Sequence, residues 1–108
     1  LKNKVMKTAL FFENDQLCHL DENTRRKEIR VSTITTEEDK VVSIKNSEVK
    51  IRNFNNFVSW LVDRGIKMIY VSGIDEKIKR FFEQMKIIVN VKNQSDKTLL
   101  LAEITSQK

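Results

Sequence analysis

Residues 54–91 read FNNFVSWLVDRGIKMIYVSGIDEKIKRFFEQMKIIVNV, and this stretch decides the fold. Phe54, Phe57, Val58 and Leu61 stand at i, i+3, i+4 and i+7, one face of a helix. Asn53 is placed to cap its start, because its side-chain oxygen can accept an orphan N–H. Gly65 is placed to end it, because glycine tolerates the left-handed residue that closes a helix. Residues 66–71 follow as a run apolar enough to be covered on both faces of a sheet. Ser72, Gly73 and Ile74 then turn the chain. Ser72 reads as the cap of a second helix, accepting from the Asp75 N–H, and Ile74, Ile78, Phe81, Phe82 and Met85 form that helix's apolar stripe. Residues 87–91 return as a strand. Two parallel strands joined by a crossover helix need about this much chain.

Upstream, residues 7–12 (KTALFF) are a short apolar run that reads as a central strand. Residues 13–16 form a polar turn, and 17–20 (LCHL) read either as a short extended piece or as a loop wall. Residues 28–36 alternate apolar and polar side chains, the period-two signature of a half-exposed strand, and 40–45 run back beside them as a hairpin. Residues 46–52 read as a polar connection. Downstream, Ser95 and Asp96 open a closing helix over Leu99, Leu100 and Ile104, with an edge strand over 98–101 as the other reading. The result is an α/β domain: a mixed five-stranded sheet flanked by helices, ordered β-β-β-α-β-α-β-(α). Residues 1–5 read as a lead-in or cloning remnant, 6–104 as one domain, and 105–108 as a C-terminal tail.

The chain has 108 residues, 40% hydrophobic and 32% charged, which suits one globular domain with one core. No apolar run approaches the ~20 residues that span a bilayer. One cysteine forms no internal disulfide, and the cytoplasm is the expected compartment. The net charge of +5 is spread among acidic residues, with Arg25-Arg26-Lys27 as the tight basic run. Basic and aromatic residues do not interleave as they do in single-strand binders, so a nucleic-acid partner is not expected. Residues 7–12 contain no acid, which removes the strand carboxylates a metal-dependent nuclease needs. No nucleophile stands in a motif with its base, so no enzyme is expected.

The stretch 61–74 (LVDRGIKMIYVSGI), the stretch 81–89 (FFEQMKIIV) and the His19-Leu20-Asp21 triplet resemble the dinitrogenase iron-molybdenum cofactor biosynthesis family. That resemblance, over residues 6–104, implies a ribonuclease-H-like fold and a non-enzymatic carrier or scaffold. Its ligand would be an anionic iron–sulfur or iron–molybdenum cluster, and its partner a protein that donates or accepts it. His19 falls where the family has a His-Phe-Gly loop, so the resemblance makes it a cluster ligand. Asp21 stands in place of that glycine, and the later turn also has fewer glycines than the family pattern. A protein-interaction module that keeps the frame and has lost the metal site is the alternative.

Each candidate residue also has a plain reading. Cys18, beside His19, is a second metal ligand if 17–20 is a loop; if it is extended, alternate side chains point to opposite faces and Cys18 is a small buried hydrophobe. Ser72, Gly73 and Ile74 lie at the carboxyl end of a parallel strand, where free backbone N–H groups favour anions. Arg25 and Arg26 would draw an anionic cluster to the same edge. Trp60 lies beside its helical stripe, as core edge or as a contact surface.

Overall fold

The computed structural model describes residues 5–24 and 27–106. Its main sheet runs β5-β4-β1-β6-β8, with β2 paired to β1 off that path. β1 (Val5–Glu13) is the central strand, antiparallel to β4 (Glu28–Glu37) on one side and parallel to β6 (Met68–Val71) on the other. β5 (Lys40–Lys50) and β8 (Ile88–Val91) are the two edges. The fold is therefore α/β with a mixed sheet, hairpin to one side and parallel strands to the other. Val5 belongs to β1, so the strand begins inside the expected lead-in; residues 1–4 lie outside the described residues.

Two-residue turns close both hairpins. Asn14 and Asp15 (φ 52 and 65°) join β1 to β2 (Gln16–Leu17), and Glu38 and Asp39 (φ 52 and 66°) join β4 to β5. Left-handed backbone at both central residues matches the right-handed twist of the strands. β5 is longer than its alternation suggests. Residues 46–50, expected as a connection, pair with β4 from Asn46↔Ser32 to Lys50↔Glu28. Arg30 Nε holds Glu48 Oε1 at 2.9 Å across this part of the hairpin. Residues 46–50 are Asn, Ser, Glu, Val and Lys with none fully buried, so no apolar alternation betrays this part of the strand.

Apolar cores fill both faces of the sheet. On one, α1 (Phe54–Asp63) and α2 (Glu76–Gln84) bury Phe57, Leu61, Ile78 and Phe82 against Ala9, Phe11, Val31 and Ile69. On the other, α3 (Lys97–Ser106) places Leu100 and Ile104 against Leu10, Phe12, Ile34 and Tyr70. Asp96 caps α3 by accepting from the Thr98 and Leu99 N–H groups at 2.9 and 3.2 Å, which settles helix over edge strand for this segment. Leu99 points to solvent, and the helix takes in residues 105 and 106 of the expected tail.

Both helices on the first face end in the same motif. The Ile66 N–H donates to the Leu61 carbonyl and Gly65 to Val62; Ile87 donates to Phe82 and Lys86 to Glu83. Gly65 and Lys86 hold the left-handed position at φ 77 and 62°. Because α2 closes on Lys86, Met85 becomes its cap and is exposed rather than part of the buried stripe, and Phe81 is only half-buried.

Candidate functional site

Beyond the parallel pair β1/β6, the two chains continue side by side. β3 (His19–Leu20) pairs in parallel with β7 (Gly73–Ile74) in the register His19↔Gly73 and Leu20↔Ile74. The Ser72 N–H donates to the Cys18 carbonyl and the Asp75 N–H to the Leu20 carbonyl, both at 2.9 Å. The expected cap, Ser72 accepting from Asp75, is therefore not formed. Asp75 stands at the N-cap of α2 without a side-chain cap bond. The anion-binding rim expected at residues 72–74 is changed in the same way, since the Ser72 and Asp75 amides are taken by the neighbouring strand. Asp75 and Glu76 also put two carboxylates at the helix end that would otherwise attract an anion.

Extended backbone sends alternate side chains to opposite faces. Cys18 and Leu20 point into the core, while the His19 side chain is 55% exposed. The imidazole packs against Gly73, its Nδ1–Cε1 side nearest: a Cβ built there would sit 2.2 Å from Nδ1 and 2.7 Å from Cε1. Nε2 stands 3.8 Å from Asp21 Oδ2. That carboxylate is already held by the Asn23 and Thr24 N–H groups at 2.8 and 3.2 Å, and Thr24 Oγ1 donates to the His19 carbonyl at 3.0 Å. His19, Ser72, Gly73 and Ile74 thus come together at one edge of the sheet. Cys18 does not join them. Burial, with a contribution from Glu13, pushes its thiol up to about 12, so near neutral pH it is a protonated core side chain. Arg25 and Arg26 lie outside the described residues.

Among the described residues, no three His, Cys, Asp or Glu side chains are grouped to hold a metal ion. With the thiol turned into the core, the donors grouped at this edge do not fit a resident iron–sulfur cluster, which needs several thiolates or imidazoles. One solvent-facing imidazole remains.

A second feature was not read from the sequence. Asn53, Asn56, Phe57, Trp60, Asp63 and Arg64 fall on one side of α1 and overlook β5. Between them run two hollows, placed end to end by the strand register. One, of about 250 Å³, is lined by Val49, Ile51, Phe57 and Trp60, with Lys50 and Arg52 at its margin. The other, of about 280 Å³, is lined by the hydroxyls of Thr33, Thr35, Ser43 and Ser47 with Lys7 and Lys45. Trp60 stacks on Phe57 (centroids 6.0 Å, planes 12° apart) and carries the Arg64 guanidinium 4.2 Å from its ring centre. Trp60 beside its stripe was the sequence signal. The groove itself requires the helix-to-edge placement, which no local pattern encodes. A larger hollow near the turn at 14–15, about 440 Å³, spends both of its cations internally, Lys27 on Glu13 at 3.4 Å and Arg30 on Glu48 at 2.9 Å, and with Asp15 and Glu28 also in its lining it is net acidic.

No protein-family model matches the chain, and no curated protein does. Among solved structures, the chain is similar to one described as "Crystal structure of PH0822". They share 19% sequence identity and a TM-score of 0.63, over 80% of this chain and 76% of that one. At that identity the likeness speaks for the fold. No helix among the described residues is long and apolar enough to cross a membrane.

Proposed function

We propose that the protein is a non-enzymatic interaction module that receives an extended segment of a partner along β5. The observation that carries this reading is the groove between α1 and the open edge of the sheet. Half the backbone N–H and C=O groups of an edge strand face outward and can pair with an added strand. Side chains on that added strand would alternate into the groove. The test is hydrogen exchange on the full chain with peptides selected from a random library. Selected peptides should slow exchange in β5; peptides that bind and leave β5 unprotected would sink the reading.

Transient carriage of an anionic metal–sulfur cluster, as cargo, is the second reading. It is favoured by the exposed His19 imidazole on Gly73 and by the resemblance to the cofactor biosynthesis family. Anaerobic incubation with iron and sulfide, followed by visible absorption and metal analysis, tests it. Equal uptake by the wild type and His19→Ala removes it.

A further inference from the structure

The strand face that borders the groove changes character along its length. Ala9 and Phe11 on β1, with Ile29 and Val31 on β4, are covered by the helices. Further along the same face come Lys7 on β1, Thr33 and Thr35 on β4, and Ser43, Lys45 and Ser47 on β5, which line the second hollow. Across both hollows four cations (Lys7, Lys45, Arg52 and Arg64) accompany one carboxylate, Asp63, while alternation sends the Lys50 side chain to the opposite face beside Glu28. Among the described residues, none of Lys7, Lys45 and Arg52 is engaged in an ion pair. One end of the groove is therefore apolar and aromatic, and the other is cationic and rich in hydroxyls.

We infer that the partner is an acidic extended peptide segment, added to β5 as a further strand. Apolar side chains would lie at the Val49–Trp60 end of the groove, and Asp or Glu side chains over Lys45 and its neighbours. This rests on the interaction-module reading and specifies its ligand. The occupant is a strand because β5 offers eleven residues of edge, ample for strand pairing. It is acidic because the charge of the groove is positive and unspent, and complementary charge selects the partner and speeds encounter. A second copy of the chain fits less well. Antiparallel self-pairing centred on β5 sets Lys45 against itself and Lys40 against Lys50, and like charges directly opposite are destabilising. Single-stranded nucleic acid also fits less well, because it needs free aromatic faces, and the one tryptophan is already engaged by Phe57 and Arg64.

The test is selection of a random nine-residue peptide library on the full chain and, in parallel, on Lys45→Glu/Arg52→Glu. Both substituted side chains are exposed and without a partner among the described residues, so circular dichroism should match the wild type. Wild-type selections should enrich Asp and Glu at alternate positions, and the variant should enrich Lys and Arg. A winning peptide, resynthesised, should change Trp60 fluorescence saturably, slow exchange at alternate β5 amides, and bind the variant at least tenfold more weakly. Peptides that protect β5 with no preference for acidic residues would overturn the acidic partner and leave the interaction module standing. Binding peptides that leave β5 unprotected would overturn both. Tighter binding of oligothymidylate than of the best peptide, or a dimer in sedimentation that protects the same amides, would also overturn the proposal.

Discussion

Gly73→Ala should change sign according to what stands at position 19. Gly73 does not have left-handed backbone, so alanine meets no intrinsic strain there. Its Cβ would, however, fall 2.2 Å from His19 Nδ1 and 2.7 Å from Cε1, well inside contact distance, while Cγ at 3.4 Å marks the limit of ordinary contact. The imidazole must therefore leave its position. Overpacking costs typically about 1–3 kcal/mol. The ring is 55% exposed and can swing outward, so the lower half of that range, about 1–2 kcal/mol, applies. In a His19→Ala background the clash is gone. Alanine for glycine then restricts the unfolded chain and stabilises by about 0.4–1 kcal/mol. The four proteins of the cycle, unfolded in urea, should give a coupling near 2 kcal/mol, and thermal midpoints several degrees apart. Additivity within about 0.5 kcal/mol would show that the ring does not rest on Gly73.

Cys18 should resist alkylation in the folded protein at a rate set by opening of the core, since burial holds its thiol up to about 12. The unfolded chain loses this proton first, so relative to Cys18→Ala the wild type should lose stability as pH rises from about 9 toward 12. Lys86→Gly should raise stability by roughly 0.5–1 kcal/mol in urea unfolding, because a lysine now occupies the left-handed position that glycine fills at the end of α1. The hydrogen bond from Lys92 (2.9 Å) holds the Glu103 carboxyl below its ordinary range, with the Tyr70 hydroxyl also donating. That contribution is present above about pH 4.5 and fades as pH falls through the lowered value, so Glu103→Gln should flatten the acid limb of the stability curve. Phe82→Ala should cost about 3–5 kcal/mol and Phe81→Ala clearly less, because only Phe82 is fully enclosed.

Where side chains have to be buried, the sequence is legible. The stripes over 54–61 and 74–82 and the apolar runs of β1 and β6 locate helices, central strands and their order, and β8, an exposed edge, is read from its apolar composition alone. Legibility fails where backbone or polar groups find distant partners. The start of α2 is misread because the Ser72 and Asp75 amides go to Cys18 and Leu20, more than fifty residues upstream, rather than to each other. The end of β5 is misread because its far half holds a single apolar residue, Val49, too little for an alternating pattern, and is held by pairing to β4. At the candidate edge, topology brings residue 19 to residue 73, since both follow adjacent parallel strands. The inward turn of Cys18 is a matter of one-residue parity, and only the register His19↔Gly73 decides it.

The polar half of β5 is also where an interaction module has to be ambiguous. A strand that is apolar on its open side would pair with any other edge, including its own, and aggregate; charge, above all lysine, is the usual protection. Lys40, Lys45 and Lys50 recur along β5, while Val41, Val42 and Ile44 keep an exposed apolar component near the hairpin turn. Such an edge repels copies of itself in the centred register and remains open to a strand of opposite charge. The substitutions that hide β5 from a hydrophobic reading of the sequence are then the ones that would make its partner selective. Removing them should broaden binding rather than abolish it. Lys45→Ser should keep β5 paired with β4, lower the discrimination between acidic and neutral peptides, and raise self-association at high concentration. If sedimentation shows Lys45→Ser as monomeric as the wild type and its peptide preference is unchanged, the lysines are only solvated surface.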